Sequence, residues 1–157
     1  MTSVTTFLWF DTEAEEAANY YISLFDDGNI TEVRHSGTAG PRPAGMVLEV
    51  DFELAGQSFT ALNGGSGYRF NEAVSILVRC DTAEEVDRYW SRLTDGGEEG
   101  PCGWLKDKYG LSWQIFPTLW FELIGDPDPV KSQAAMAAML QMKKIYSGAL
   151  QEAFDNA

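Results

Sequence analysis

The feature that most constrains the fold is a repeat inside the chain. The segment from Asp11 reads DTEAEEAANYYISLFDDG, and the segment from Asp81 reads DTAEEVDRYWSRLTDGG. One gap near Glu13 aligns them. Asp-Thr, Ala-Glu-Glu, Tyr, Leu, Asp and Gly then coincide, and Tyr21 matches Trp90. Self-similarity at such an offset points to duplication of one supersecondary unit, so what one copy folds into the other should fold into as well.

Both copies read as helices. Thr12 stands three residues before Glu15, and Thr82 three before Glu85. Each pair has capping-box spacing, in which hydroxyl and carboxylate satisfy backbone N–H groups of a first turn. Ala14, Ala17, Ala18, Tyr21 and Phe25 form one apolar stripe; Val86, Tyr89, Trp90 and Leu93 form the other. Asp-Gly pairs close both helices with residues that tolerate turn geometry.

The surroundings of the helices match too. Apolar runs precede them, Val4 to Phe10 and Ala73 to Cys80. Strand patterns follow the first: Ile30 to His35, and Met46 to Leu54 with Met46, Leu48, Val50, Phe52 and Leu54 on one face and Glu49, Asp51 and Glu53 on the other. Ala55-Gly56 turns the chain and Gln57 to Asn63 returns. After the second helix a short strand near Glu98–Gly100 is expected, then a hairpin of Gly100 to Asp107 and Leu111 to Pro117 around Tyr109-Gly110. The order is strand, helix, three strands, twice.

The expected fold class is therefore α+β: two βαβββ modules forming a cupped mixed sheet with helices outside, plus a C-terminal helix. The whole of residues 1–157 reads as a single domain. Module one covers about 1–66, module two about 72–118, and the C-terminal helix about 130–155, with an apolar stripe from Ala135 through Met139, Met142 and Ile145 to Ala153. Residues 37–45, GTAGPRPAG, form a loop.

Composition excludes several partners. The formal net charge of −13 repels phosphate backbones and anionic lipid heads, so no nucleic acid and no membrane is expected. No stretch approaches the ~20 apolar residues that span a bilayer. Two cysteines, Cys80 and Cys102, make neither a disulfide framework nor a zinc ligand set, and fit a reducing, cytoplasmic location.

The segments FLWFDTEAEEAANYYISLF, ALNGG, EAVSILVRCDTAEEVDRYWSRLTDGG and CGWLKDKYGLSWQIFPT resemble the PhnB-like branch of the vicinal-oxygen-chelate superfamily, as does the tail ending in AMLQMKKI. That superfamily holds glyoxalase I, extradiol dioxygenases and bleomycin- or fosfomycin-resistance proteins. This branch often carries the label 3-demethylubiquinone-9 3-methyltransferase. The resemblance implies a homodimer. It also implies where a metal would sit: near Thr6 on the first strand, at Asn63 and Ser75, and at Gln114. Asp107 to Gln114 resembles the superfamily's DPDGNxxE turn, with Gln114 in place of the metal-binding Glu.

Thr, Asn, Ser and Gln are neutral donors that bind a divalent transition ion poorly, and the one histidine, His35, lies on another strand. No metal and no cofactor is expected. Asp95-Gly96-Gly97-Glu98-Glu99-Gly100 follows a helix rather than a strand, and no clear helix pattern opens behind Asn63-Gly64-Gly65-Ser66-Gly67. Neither reads as a nucleotide-binding turn. No nucleophile–base pair is visible, so catalytic residues stay unassigned. The ligand-binding candidates are Thr6, Trp9, Asn63, Ser75, Trp104 and Gln114: aromatics to stack on a small organic ligand, and polar groups to orient its oxygens. Trp113 is a further stacking candidate, although alternation sets it on the opposite face from Ser112 and Gln114. The functional expectation is a metal-free small-molecule-binding protein. The alternatives are a lyase- or dioxygenase-type metalloenzyme with atypical ligands, and the methyltransferase of the family label.

Overall fold

A computed structural model describes residues 1–157. The chain forms two compact units, Met1–Phe70 and Asn71–Ala157.

Unit 1 contains β1 (Thr6–Phe10), α1 (Ala14–Ile22), β2 (Asn29–His35), β3 (Val47–Leu54) and β4 (Gln57–Asn63). The sheet order is β1-β4-β3-β2. β1 runs parallel to β4, and the other neighbours are antiparallel. The alternation of β3 decides which face is covered. Val50, Phe52 and Leu54 are buried with Phe59 and Ala61 of β4, beneath Ala14, Ala17, Ala18 and Tyr21 of α1. Phe52 stacks on Phe59 with ring centres 5.2 Å apart and on Tyr21 at 6.2 Å. Each such large side chain contributes about 1.5–3 kcal/mol on leaving water, so this apolar layer fixes the strand register. Ala55 and Gly56, at φ 48° and 81°, make the tight β3–β4 turn.

The Thr12 capping box does not form. The cap residue of α1 is Glu13, which makes no side-chain cap bond. The residue inserted at the repeat's gap pushes Thr12 one place too far from the helix. Instead Asn63 Oδ1 accepts the N–H of Ala14 at 2.8 Å. In unit 2 the box does form: Thr82 Oγ1 accepts the N–H of Glu85 at 3.2 Å, and the Glu85 carboxylate accepts the N–H of Asp81 at 2.8 Å.

Unit 2 repeats the plan with β5 (Ser75–Cys80), α2 (Ala83–Thr94), β6 (Glu98–Glu99), β7 (Trp104–Lys106) and β8 (Ser112–Pro117), in the order β5-β8-β7-β6. β5 and β8 are parallel. Val86, Tyr89, Trp90 and Leu93 of α2 are buried, as are Val78, Cys80, Leu105, Trp113 and Ile115 of the sheet. The expected strand from Gly100 to Asp107 is shorter. Residues 100–103 are a turn, with Cys102 and Gly103 at φ 57° and 80°, a left-handed conformation outside the strand region, and the Gly103 carbonyl keeps one bond to β8 from the N–H of Ile115. Asp107 organises the β7–β8 hairpin. Its carboxylate accepts the N–H groups of Tyr109 and Leu111 and, at 2.9 Å, the indole N–H of Trp113. Trp113 is thus buried on the helix side, as its parity requires.

The tail is helical in pieces. α3 (Thr118–Ile124), which the sequence pattern did not reveal, is followed by α4 (Pro129–Met139) and α5 (Ser147–Asp155). The single helix expected through 130–155 is interrupted between Met139 and Ser147. There the carbonyls of Met142 and Lys143 accept the N–H groups of Cys102 and Gly103 at 2.8 and 2.7 Å. Those carbonyls serve the turn, and Ile145 is buried beside Phe116, Trp120, Leu123, Ala135, Met139 and Leu150.

Candidate functional site

Each sheet has one face turned away from its helix. In unit 2 alternation places Ser75, Leu77 and Arg79 of β5, Ser112 and Gln114 of β8, and Trp104 and Lys106 of β7 on that open face. Gln114 donates its side-chain N–H to Ser75 Oγ at 2.9 Å. Trp104 lies directly across the ladder from Gln114. Three of the six candidates therefore meet on one face. Lys106 is ion-paired with Glu72, which raises the lysine pKa and lowers the carboxyl's.

Beside Trp104 lies a cleft of about 390 Å³ with mainly apolar walls, lined by Glu72, Glu98, Glu99, Gly100, Pro101, Trp104, Leu105, Lys106 and Ser112. Ser112 is 1% exposed, and its hydroxyl has no hydrogen-bond partner. A buried hydroxyl left unpaired costs about 1–3 kcal/mol, so such groups are rare and invite explanation. A second cleft of about 420 Å³ is lined by Trp90, Glu99, Tyr146 and residues 141–144. Its Lys144 is bound to Asp87, and its Lys143 is 4.0 Å from Glu99.

The other three candidates belong to unit 1. Asn63 is buried on the helix side; its Nδ2 donates to the carbonyl of Val47 at 2.9 Å while its oxygen caps α1. Trp9 is half-buried, with its indole N–H bound to the carbonyl of Gly65 at 2.8 Å and its edge against Tyr68. Thr6 accepts the side-chain N–H of Gln57 at 3.0 Å.

The duplication itself identifies the residue equivalent to Gln114. Phe7 pairs with Thr60 as Leu77 pairs with Gln114, and Phe7 and Leu77 correspond in the repeat. The unit-1 counterpart is thus Thr60, which sequence reasoning missed because β4 was not registered against β1. Thr60 donates to Asp51 Oδ1 at 2.6 Å. Asp51 in turn receives both terminal nitrogens of Arg34 at 2.9 Å. Arg34 also binds Glu49 at 2.8 Å and Glu32 at 2.7 Å. The guanidinium, followed by the Thr60 hydroxyl, holds the Asp51 carboxyl below the usual carboxylate range. Glu49 and Asp51 of β3 and Glu32 of β2 form an ion-pair network around Arg34, and His35 is exposed at the end of β2.

The model of the 3-demethylubiquinone-9 3-methyltransferase family matches residues 2–116. The PhnB protein of Bacillus cereus is 36% identical, with a TM-score of 0.67, over 74% of this chain and 100% of that one. The chain belongs to the 3-demethylubiquinone-9 3-methyltransferase family. This is the PhnB-like branch to which the sequence segments pointed. Protein PA1353 of Pseudomonas aeruginosa shares the fold at 18% identity and a TM-score of 0.62, over 74% and 98% of the two chains. A glyoxylase/bleomycin resistance protein/dioxygenase domain from Frankia is 14% identical, with a TM-score of 0.47, over 73% and 96%. No curated protein matches the chain. The family match ends at residue 116, so α3 to α5 lie beyond it.

The methyl-donor nucleoside suggested by the name of the 3-demethylubiquinone-9 3-methyltransferase family does not fit the glycines present. A Cβ on Gly97 would lie 2.1 Å from the carbonyl oxygen of Lys106, one on Gly100 2.8 Å from that of Trp104, and one on Gly64 2.3 Å from the Trp9 ring. These glycines admit close packing within the chain rather than a nucleoside sugar. A divalent transition metal does not fit either. Thr6, Asn63, Ser75 and Gln114, which the resemblance picks out, and Thr60, the counterpart of Gln114 by register, are all uncharged and already hydrogen-bonded to protein groups. No three His, Cys, Asp or Glu side chains are grouped to take over that role.

Proposed function

We propose that this family member is a metal-free binding protein for a small organic molecule, held on the open face of unit 2. The observation that supports the reading is the joining of Ser75, Gln114 and Trp104 beside a mainly apolar cleft: a flat surface and uncharged hydrogen-bonding groups. The Ser75 hydroxyl hydrogen and the Gln114 carbonyl oxygen can both address a ligand oxygen while their mutual bond holds them in place.

The test is calorimetric titration of chelator-treated protein with a panel of uncharged aromatic compounds, repeated on Gln114→Ala. Binding without metal that weakens in the variant, at unchanged thermal stability, supports the reading. Stoichiometric transition metal in protein purified without chelator, together with binding that requires it, overturns the reading in favour of a metalloenzyme. Binding of S-adenosylmethionine would revive the methyltransferase.

The same reading takes the protein as a cytoplasmic homodimer without nucleic-acid or membrane partners. Val4 and Val74, and Phe7 and Leu77, are exposed apolar side chains at corresponding places in the two copies, which suits burial against a second chain. Both cysteines are free, and no helix is long and apolar enough to cross a membrane. Sedimentation analysis checks the dimer, and fractionation of cells checks the location.

A further inference from the structure

The Ser112 hydroxyl carries a more specific assignment, which rests on the reading of this face as a binding face. We propose that the cleft beside Trp104 takes an uncharged, flat ring compound bearing a hydroxyl or carbonyl oxygen, and that this oxygen hydrogen-bonds to Ser112.

Three observations converge on it. Ser112 is almost completely buried, its hydroxyl has no partner in the protein, and it forms part of the cleft wall. Its backbone is held between Ser75 and Lys106 in the sheet, which keeps the side chain on the open face. A ligand oxygen at that point supplies what the fold leaves out, because a hydroxyl both donates and accepts. Next to it Trp104 and Pro101 give flat apolar surface, and aromatic faces prefer to meet flat rings.

The charges around the cleft select against anions. Lys106 is bound to Glu72, so its charge is already matched. Glu98 and Glu99 add two further carboxylates. Glu99 accepts the indole N–H of Trp90 at 3.0 Å, and the mostly exposed Lys143 stands 4.0 Å away from it. No unmatched cation remains on the wall to offset a carboxylate or phosphate, and the residual field is negative. An uncharged ring meets no such penalty.

The probes are 2-naphthol and 2-naphthoate, which share the ring and differ in charge at neutral pH. Calorimetry is run on the full chain, on Ser112→Ala and on Trp104→Leu. The expected result is binding of 2-naphthol, at least ~10-fold weaker binding of 2-naphthoate, and a loss of ~10-fold in 2-naphthol affinity in Ser112→Ala. The free Ser112→Ala protein should melt at the same temperature or higher, because no internal bond is lost. A merely structural serine gives the opposite pattern, lower stability with unchanged affinity, and overturns the assignment. Equal or tighter 2-naphthoate binding, lost in Trp104→Leu, overturns the ligand class while leaving a binding face. Binding of neither probe overturns both the assignment and the broader reading.

Discussion

The side-chain oxygen of Asn63 accepts the backbone N–H of Ala14 at 2.8 Å, so the last residue of β4 caps the first turn of α1. The same side chain ties down the carbonyl of Val47. Asn63→Ala should lower stability by about 1–3 kcal/mol, the range for losing a cap and stranding a buried acceptor. Thr12→Ala should cost less than about 0.5 kcal/mol, whereas Thr82→Ala should cost about 1 kcal/mol. Urea unfolding of the three variants checks this. A Thr12 effect as large as that of Thr82 would contradict the capping assignment.

Arg34 gives unit 1 a defined acid response. Its charge lowers the Asp51 pKa, and a lowered folded value stabilises above the unfolded pKa of about 4 and is lost as pH falls through the folded one. Asp51→Asn should therefore flatten the fall in stability below about pH 4. Arg34→Gln leaves Glu32, Glu49 and Asp51 facing one another unmatched. It should be destabilised at neutral pH, with the deficit shrinking on acidification as the Asp51 carboxyl that Arg34 holds down protonates. Thermal melts across pH read both slopes, and a pH-independent deficit in Arg34→Gln would refute the network.

Ile145 is 2% exposed and lies against Gly103, where an added Cβ would come within 3.1 Å of it. Ile145→Ala should cost about 2–4 kcal/mol through the cavity it leaves. Hydrogen exchange at the Cys102 and Gly103 amides, which donate to Met142 and Lys143, should accelerate in the variant. Unchanged exchange there would separate the tail from the turn that leads into Trp104.

Burial, reinforced by the charge of Glu85, pushes the Cys80 thiol up to about 12. Almost none of it is thiolate at neutral pH, and only the thiolate is nucleophilic. Iodoacetamide should label native protein at Cys102 alone and reach Cys80 only after unfolding. Cys102→Ser should be inert while folded; label on native Cys102→Ser would show that α2 does not seal the sheet.

Much of the architecture was legible because it follows from periodicity. The alternation of Leu48 to Leu54, the Thr82–Glu85 box and the matched order around Asp11 and Asp81 each depend on neighbours in sequence. The chemistry of the site depends on pairing across strands. Gln114 was found through a turn motif close to it in sequence. Ser75 could be joined to it only by the β5–β8 register, and Ser112 was recognisable as an unpartnered hydroxyl only once its surroundings were placed. The resemblance puts Asn63 among the ligand-binding residues, whereas the β1–β4 register places it on the helix side, and a shift of one residue along a strand reverses the face.

The sequence by itself determined that one unit is present twice and which residues form its apolar layers, since hydrophobic spacing is a local property. Tertiary structure alone decided that Glu49 and Asp51 close around Arg34, that the tail breaks at Met142–Lys143 to hold the Cys102–Gly103 turn, and that the Ser112 hydroxyl is left without a partner in the protein. Those outcomes rest on hydrogen bonds between residues distant in the chain, whose partners are fixed only when the strands take their places.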